Sequence, residues 1–220
     1  MTDITISDAL KKLVPALQLS CIESNVIYHP KNEMLWEEIM NLISDINAKM
    51  RIDQISKLKA VAATRSAYKA CGKDPARYRP SAEALLRRAV KHNSVFQINN
   101  IVDSLNMVSL ATGFSIGGYD ADKIEGNVIF GIGIEEEPYR GIGRGELNIE
   151  GLPVFRDESG AFGTPTSDSE RTSVTEETKR FLMVITDFGS PELLDEATSM
   201  ATDLLEKYAG ATDINIFNIK

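Results

Sequence analysis

The residues able to do chemistry in this sequence are few. There are two histidines, His29 and His92, and two cysteines, Cys21 and Cys71, which lie far apart and without metal-ligand spacing. Imidazole catalysis has only those two candidates, and neither a zinc site nor a disulfide framework is expected. No metal-site, phosphate-loop or dinucleotide signature occurs, so neither a metal nor a cofactor is expected. Glycines supply the remaining suggestive features. Gly117-Gly118, just ahead of Tyr119-Asp120, permits either a tight turn or a pocket floor where a ligand approaches the backbone. The run Gly141-Ile142-Gly143-Arg144-Gly145 lacks the strand-turn-helix context of a phosphate cradle and reads as a turn into a strand at Glu146.

Charge is the second signal. The 220-residue chain carries a formal net charge of −8, which argues against a protein that coats nucleic acid non-specifically. The average hides an asymmetry. Arg51 to His92 holds eleven Lys or Arg against three acids, Asp53, Asp74 and Glu83, so this stretch is +8 and the remainder −16. Such a block is either a phosphate-facing surface, with Arg65, Lys69, Arg77, Arg79, Arg87 and Arg88 as its contacts, or a solvated helix face balancing acidic neighbours.

The elements that must position these residues follow from periodicity. Leu17 to Tyr28 alternates as a strand. After Pro30 an amphipathic helix starts near Lys31 or Asn32, and a second spans about Asp53 to Ala70, stopped by Gly72. Ser81 reads as the cap of a third helix, and a fourth runs from Ile98 or Asn99 to Thr112, ending at Gly113. The pattern then changes. Asn127–Ile134, Glu146–Ile149 and Val154–Arg156 are short strand candidates between glycine-bearing turns. Ala161 to Thr175 is polar, proline-bearing and reads as a loop open to proteases. Thr178–Phe188 holds a buried-strand run, Ser190 caps a last long helix through Tyr208, and Asp213–Ile219 closes as a strand. Helices mostly first and strands afterwards predict one α+β domain over residues 1–220, with a mixed or antiparallel sheet and flanking helices. The apolar fraction of 43% suits a packed core. No run approaches a membrane span, and Met1 to Leu10 lacks the basic and apolar regions of a signal peptide, so a cytoplasmic location without membrane contact is expected.

An ordered series of motifs resembles a known family. Arg79-Pro80-Ser81 through Arg87-Arg88 is followed by Ile98-Asn99-Asn100-Ile101-Val102-Asp103-Ser104-Leu105-Asn106, similar to an arginine pair ahead of a V-D-x-x-N helix. Gly113 through Gly126 ends in Tyr119-Asp120-Ala121-Asp122-Lys123-Ile124-Glu125-Gly126. Gly160-Ala161-Phe162-Gly163 precedes Ser169-Glu170-Arg171 and Val174-Thr175-Glu176-Glu177-Thr178. Together, over about residues 64–188, they resemble the B3/B4 (tRNA-binding and editing) domain of the bacterial phenylalanyl-tRNA synthetase β subunit, here as a free-standing protein. In those synthetases the domain hydrolyses tyrosine mistakenly attached to phenylalanine tRNA. The resemblance carries the family's editing-loop glutamate onto Glu170 and its asparagine onto Asn106. Its proline falls on Ser115, its histidine on Gly117, and its pocket threonine on Leu105. These departures bear on substrate and mechanism rather than on fold.

The chemistry such a site would need is definite. Deacylating an aminoacyl-tRNA requires a water, a group to orient it, and donors for the oxyanion. Glu170 would serve as the catalytic carboxylate, or would instead pair with Arg171 or Arg144 or stand free in solvent. Asn106, Ser115, Gly117, Gly118, Thr164, Thr166 and Ser167 would hold the substrate. The expected partner is tRNA or aminoacyl-tRNA, with no DNA, and with hydrolysis of a mischarged species in trans as the enzymatic version. The competing readings are a non-catalytic RNA- or protein-binding module and a pocket for a free amino acid or other small ligand. Neither the oligomeric state nor the amino acid specificity is legible.

Overall fold

The computed structural model describes residues 1–220. The chain begins with a short strand β1 (Ile4–Ile6), helix α1 (Asp8–Leu13) and the long strand β2 (Gln18–Asn25). Four helices follow: α2 (Glu33–Lys49), α3 (Lys59–Ala70), α4 (Ser81–His92) and α5 (Asn100–Thr112). Strands β3 (Ser115–Asp120) and β4 (Val128–Ile132) lead to a small hairpin, β5 (Arg140–Gly141) and β6 (Gly145–Glu146). Strands β7 (Pro153–Asp157), β8 (Gly160–Gly163) and β9 (Arg180–Asp187) come next, then helix α6 (Leu194–Ala209) and the closing strand β10 (Thr212–Ile219).

The α+β architecture expected from the sequence is present, as three layers. One sheet has the order β10-β2-β9-β3 and is antiparallel throughout. A second, β1-β4-β7-β8, is mixed, because β1 pairs with β4 in parallel. Strand β9 explains the arrangement. Its side chains alternate between faces, and both faces are buried. Phe181, Met183 and Ile185 join a core shared with α2, α4, α5 and α6. Leu182 and Val184 join a second core with Phe130, Phe155 and Phe162 of the other sheet. A strand covered on both sides reads as an unbroken apolar run, which is why its signal was strong.

Three of the six helices start at a side-chain cap. The Asn32 side chain accepts from the Leu35 amide at 3.1 Å and starts α2. The Asn99 side chain accepts from Ile101 and Val102 at 3.1 and 2.9 Å and starts α5, which Gly113 ends at φ +80°. Elsewhere tertiary contacts override the sequence signal. Ser81 does not cap α4. Pro80 occupies the cap position and the Ser81 amide donates to the Pro165 carbonyl at 2.8 Å. Ser190 makes no side-chain cap either, and a 3₁₀ turn at Pro191–Leu193 precedes α6. The helix expected from Asp53 is broken: Ile55–Lys57 is a separate 3₁₀ turn, and Leu58 turns the chain at ψ 136° before α3 begins. The Glu146–Ile149 strand shrinks to the last residues of the β5–β6 hairpin.

Two corrections bear on the site. Gly117 and Gly118 form no turn. They lie inside β3, opposite Val184 and Met183 of β9. The polar stretch Ala161–Thr175 is not an open loop. It begins with β8, and Thr164, Thr166 and Ser169 are buried. No helix is long and apolar enough to cross a membrane.

Candidate functional site

Strand β3 and the segment Thr164–Ser169 come together as the resemblance implies, but the space between them is filled by the protein itself. A Cβ on Gly117 would lie 2.1 Å from the Tyr119 hydroxyl oxygen, and one on Gly163 would lie 2.2 Å from the same atom. The two glycines, one from each sheet, form a slot for the Tyr119 phenol. Gly118 is closed as well, because a Cβ there would meet Leu105 Cδ1 at 2.6 Å and the Phe181 ring at 3.1 Å. These glycines admit neighbouring side chains rather than a ligand.

The hydroxyls expected to serve as donors are engaged within the chain. Thr164 Oγ1 accepts from the Thr166 and Ser167 amides at 3.1 and 3.0 Å and donates to the Ser167 carbonyl at 3.0 Å. Thr166 Oγ1 is hydrogen-bonded to the Tyr68 hydroxyl at 2.8 Å. Tyr139 donates its hydroxyl to the Ser167 carbonyl at 2.5 Å. Ser167 Oγ contacts the Asp168 carbonyl at 3.4 Å. Ser115 Oγ, fully inside, lies 3.5 Å from the Ala82 amide at the start of α4. Asn106 sits half-buried on α5 beside Leu105.

Glu170 has a different setting. It opens a 3₁₀ turn (Glu170–Thr172), stays half exposed, and pairs with Arg140 of β5 at 2.9 Å. Neither Arg144 nor Arg171 is its partner. Arg171 is held by Asp157 through bonds of 2.7 and 3.1 Å. The carboxylate enclosed near β3 is instead Asp168, which sequence reasoning missed. Its Oδ2 accepts from the Gly118 amide at 3.3 Å, and burial pushes it up to about 7. Beside it the Tyr119 hydroxyl is buried without a hydrogen-bond partner, and burial and then Asp168 hold that phenol well above the usual range. Only an acid inside a Ser/Thr/Pro-rich stretch announced Asp168, a signal too weak to separate it from Glu170.

Two of the surface concavities have linings of opposite sign. The larger, about 830 Å³, lies between the β5–β6 hairpin and β8. Its lining has five glutamates (Glu135, Glu136, Glu137, Glu146, Glu150) against Arg140 and Arg171, the wrong sign for phosphate. The smaller, about 290 Å³, is lined by Ile52, Arg79, Arg87, Arg88, Lys91 and His92, with no acid.

The basic block is thereby partly assembled and partly dispersed. Glu83, fully buried in the first turn of α4, collects Arg65 and Arg87 at 2.8 Å each and Arg79 at 3.6 Å. One carboxylate so fixes three guanidiniums, and Arg79 and Arg87 go on to line the pocket. Arg88 adjoins them, stacked over Phe96 at 3.6 Å from its centroid. Lys69 is exposed on α3, and Arg77 lies apart over Tyr78 at 5.6 Å. Neither lines the pocket. No group of three or more His, Cys, Asp or Glu converges as metal ligands would.

The motifs quoted for the resemblance make bonds that fix strand and helix ends. Asp120 Oδ2 accepts from the Thr178 hydroxyl at 2.9 Å, joining the Tyr119-Asp120 motif to the acid-acid-Thr motif. Asp103 Oδ1 accepts from the Ile98 amide at 3.0 Å and anchors the segment leading into α5.

These features define an α+β domain with a closed glycine slot and a cationic pocket built largely on α4. The chain belongs to the B3/4 domain family, whose model matches residues 63–210, from α3 through α6. No curated protein matches it. Among solved structures it is similar to an N-terminal fragment of the phenylalanyl-tRNA synthetase β subunit from Pyrococcus horikoshii. The identity is 14% and the TM-score 0.49, over 99% of this chain and 50% of that one. The chain thus spans about half the length of that fragment.

Proposed function

We propose that the protein binds RNA, with tRNA or aminoacyl-tRNA as the class to test first, and that it does so through the basic pocket on α4. The observation that carries this reading is the pocket itself. Arg79, Arg87, Arg88 and Lys91 converge without an opposing carboxylate in the lining, in a chain whose net charge is −8. Glu83 lies beneath and fixes two of these guanidiniums, which reduces the side-chain entropy lost when a phosphate binds. Membership of the B3/4 family, and the resemblance of its motifs to a tRNA-binding domain, supply the class of RNA.

Within this reading a binding module fits better than a hydrolase. The glycine face is occupied by Tyr119 and Leu105, the hydroxyls of Thr164 and Thr166 are engaged, and Glu170 is matched by Arg140 at the surface. One observation favours editing in trans: Asp168, a carboxyl raised to about 7 beside β3, has the property of a general base. It would act only if Tyr119 left its slot.

Binding is tested by titrating labelled tRNA at several salt concentrations. Log affinity is expected to fall linearly with log salt. Neutralising Arg79, Arg87, Arg88 or Lys91 singly should flatten the slope by about 0.7–0.9 each. Lys69→Gln and Arg77→Gln should change it less. No tRNA binding at about 50 mM salt, where phosphate contacts are strong, would defeat the proposal. Deacylation of a panel of mischarged tRNAs, with Glu170→Ala and Asp168→Asn as controls, separates module from hydrolase, and no turnover is expected.

A further inference from the structure

We infer that the α4 pocket takes an unpaired nucleotide, with the phosphate among the arginines and the base stacked on Phe96. This inference rests on the RNA-binding proposal and specifies its ligand. It starts from an exposed aromatic ring. Phe96 lies in the connection between α4 and α5 and is 64% exposed. It belongs to neither hydrophobic core, so burial does not explain an aromatic ring at this place. One face of the ring is covered by the Arg88 guanidinium at 3.6 Å. With one face covered and the ring still mostly exposed, the other face is open to a flat partner. Arg88 also lines the basic pocket, so it joins the stacking surface to the phosphate surface. Its Nε is buried without a hydrogen-bond partner, an unsatisfied donor beside the pocket.

The connection bearing Phe96 is fixed at both ends. Asn93 leaves α4 in the left-handed conformation at φ 53°, and its side-chain oxygen accepts from Asn47 at 2.6 Å. Two residues beyond Phe96, the Ile98 amide donates to the buried Asp103 carboxyl at 3.0 Å. The ring is therefore held beside Arg88, the residue through which it adjoins the pocket.

Guanidiniums beside an open aromatic face suit one kind of nucleic acid. In an A-form duplex the bases are stacked on each other and present no free π face. In single strands, loops and ends the base can swing out and stack on an aromatic residue while its phosphate meets a cation. Stacking tolerates any base, so the pocket is expected to select unpaired structure rather than sequence.

The experiment compares an unstructured 12-nucleotide single-stranded RNA, the same sequence in a blunt duplex, and a 5′-mononucleotide. Binding is measured by anisotropy or calorimetry to the full chain and to Phe96→Ala, Phe96→Leu and Phe96→Trp. The single strand is expected to bind more tightly than the duplex. Phe96→Ala and Phe96→Leu should weaken it by about 5- to 150-fold, the stacking contribution of one base, and Phe96→Trp should retain it. Phe96 is exposed, so these variants are expected to fold, which their unfolding midpoints would verify. Duplex binding as tight as single-strand binding, with no effect of Phe96→Ala, would overturn the inference while leaving RNA binding in place. Equal affinity for the mononucleotide and the strand would also overturn it and mark a small-ligand pocket. Failure of every RNA to bind would remove both readings.

Discussion

Replacing Gly117 by alanine distinguishes an open ligand floor from a slot already filled. Gly117 has no left-handed backbone, so alanine is not strained by conformation. In an open site the change would be neutral or favourable, since alanine in a strand gains roughly 0.5–1 kcal/mol over glycine. In this structure the new methyl would sit 2.1 Å from Tyr119 Oη, 2.6 Å from Cζ and 2.9 Å from Cε2. Tyr119 is fully buried, packed edge-on to Phe162 at 5.0 Å, and enclosed by Gly163 on its far side. It cannot retreat without moving the second sheet. Forced insertion of a methyl into such packing costs about 1–3 kcal/mol. Set against the strand gain, the net change runs from about zero to a loss of about 2.5 kcal/mol, and the mid-range loss of about 1 kcal/mol lowers the melting temperature by about 2–4 °C for a chain of this size. Urea or thermal unfolding measures it directly. The same alanine in a Tyr119→Leu background should cost much less, giving a coupling of about 1 kcal/mol or more in a double-mutant cycle. A Gly117→Ala protein more stable than the parent, with no coupling to Tyr119→Leu, would refute the filled slot and reopen the pocket-floor reading.

Asp168 should make stability depend on pH. Its carboxyl is raised by burial to about 7 from an ordinary 3.8, so the folded state holds a proton that the unfolded state releases. The resulting stability is complete below about pH 4, declines as pH rises, and is gone above about pH 7, with a span of at most ~4 kcal/mol. Asp168→Asn should flatten this dependence, and the variant should gain on the parent between about pH 4 and 7 in urea titrations. A gap that stays constant with pH would show that Asp168 titrates normally. Glu83→Gln should lower stability by about 2–4 kcal/mol, because a buried carboxylate bonded to Arg65 and Arg87 at 2.8 Å loses its charge. An unchanged unfolding midpoint would show that those guanidiniums are held by solvent alone.

Much of the fold was legible because the strongest signals are local. Asn32, Asn99, Gly113 and the alternation of β10 each act within a few residues. The strand β9 was legible for a different reason, burial on both faces, which leaves no polar positions to interrupt the run. What was missed depends on partners distant in sequence. Strand β1 is three residues long and exists because Thr5 and its neighbours align with Ile129 and Phe130 on β4. Strand β3 looked like a turn because Gly-Gly is a turn signal. Its glycines are required instead by Tyr119 two residues on, on the same face, and by Leu105 from α5. The buried segment Thr164–Ser169 looked solvated because its residues are polar. Those hydroxyls and amides pair with one another and with Tyr68 and Tyr139, and no local pattern reveals that.

The same distinction applies to the site. The basic block was visible as a count of charges, but a count cannot separate charges that face a ligand from charges that face an acid. Glu83 makes that separation in three dimensions. One buried carboxylate gathers three of the eleven cations, and this lowers the free charge of the stretch while raising its order. Phosphate recognition gains more from a few fixed guanidiniums than from many mobile ones, because immobilising a free side chain costs about 0.5–1.5 kcal/mol on binding. The acidic remainder of the chain works in the same direction. The large cleft at the β5–β6 hairpin carries five glutamates, a lining that repels a polyanion. A net charge of −8 is therefore compatible with RNA binding, provided that binding is confined to one face, is abolished by moderate salt, and does not spread along the strand.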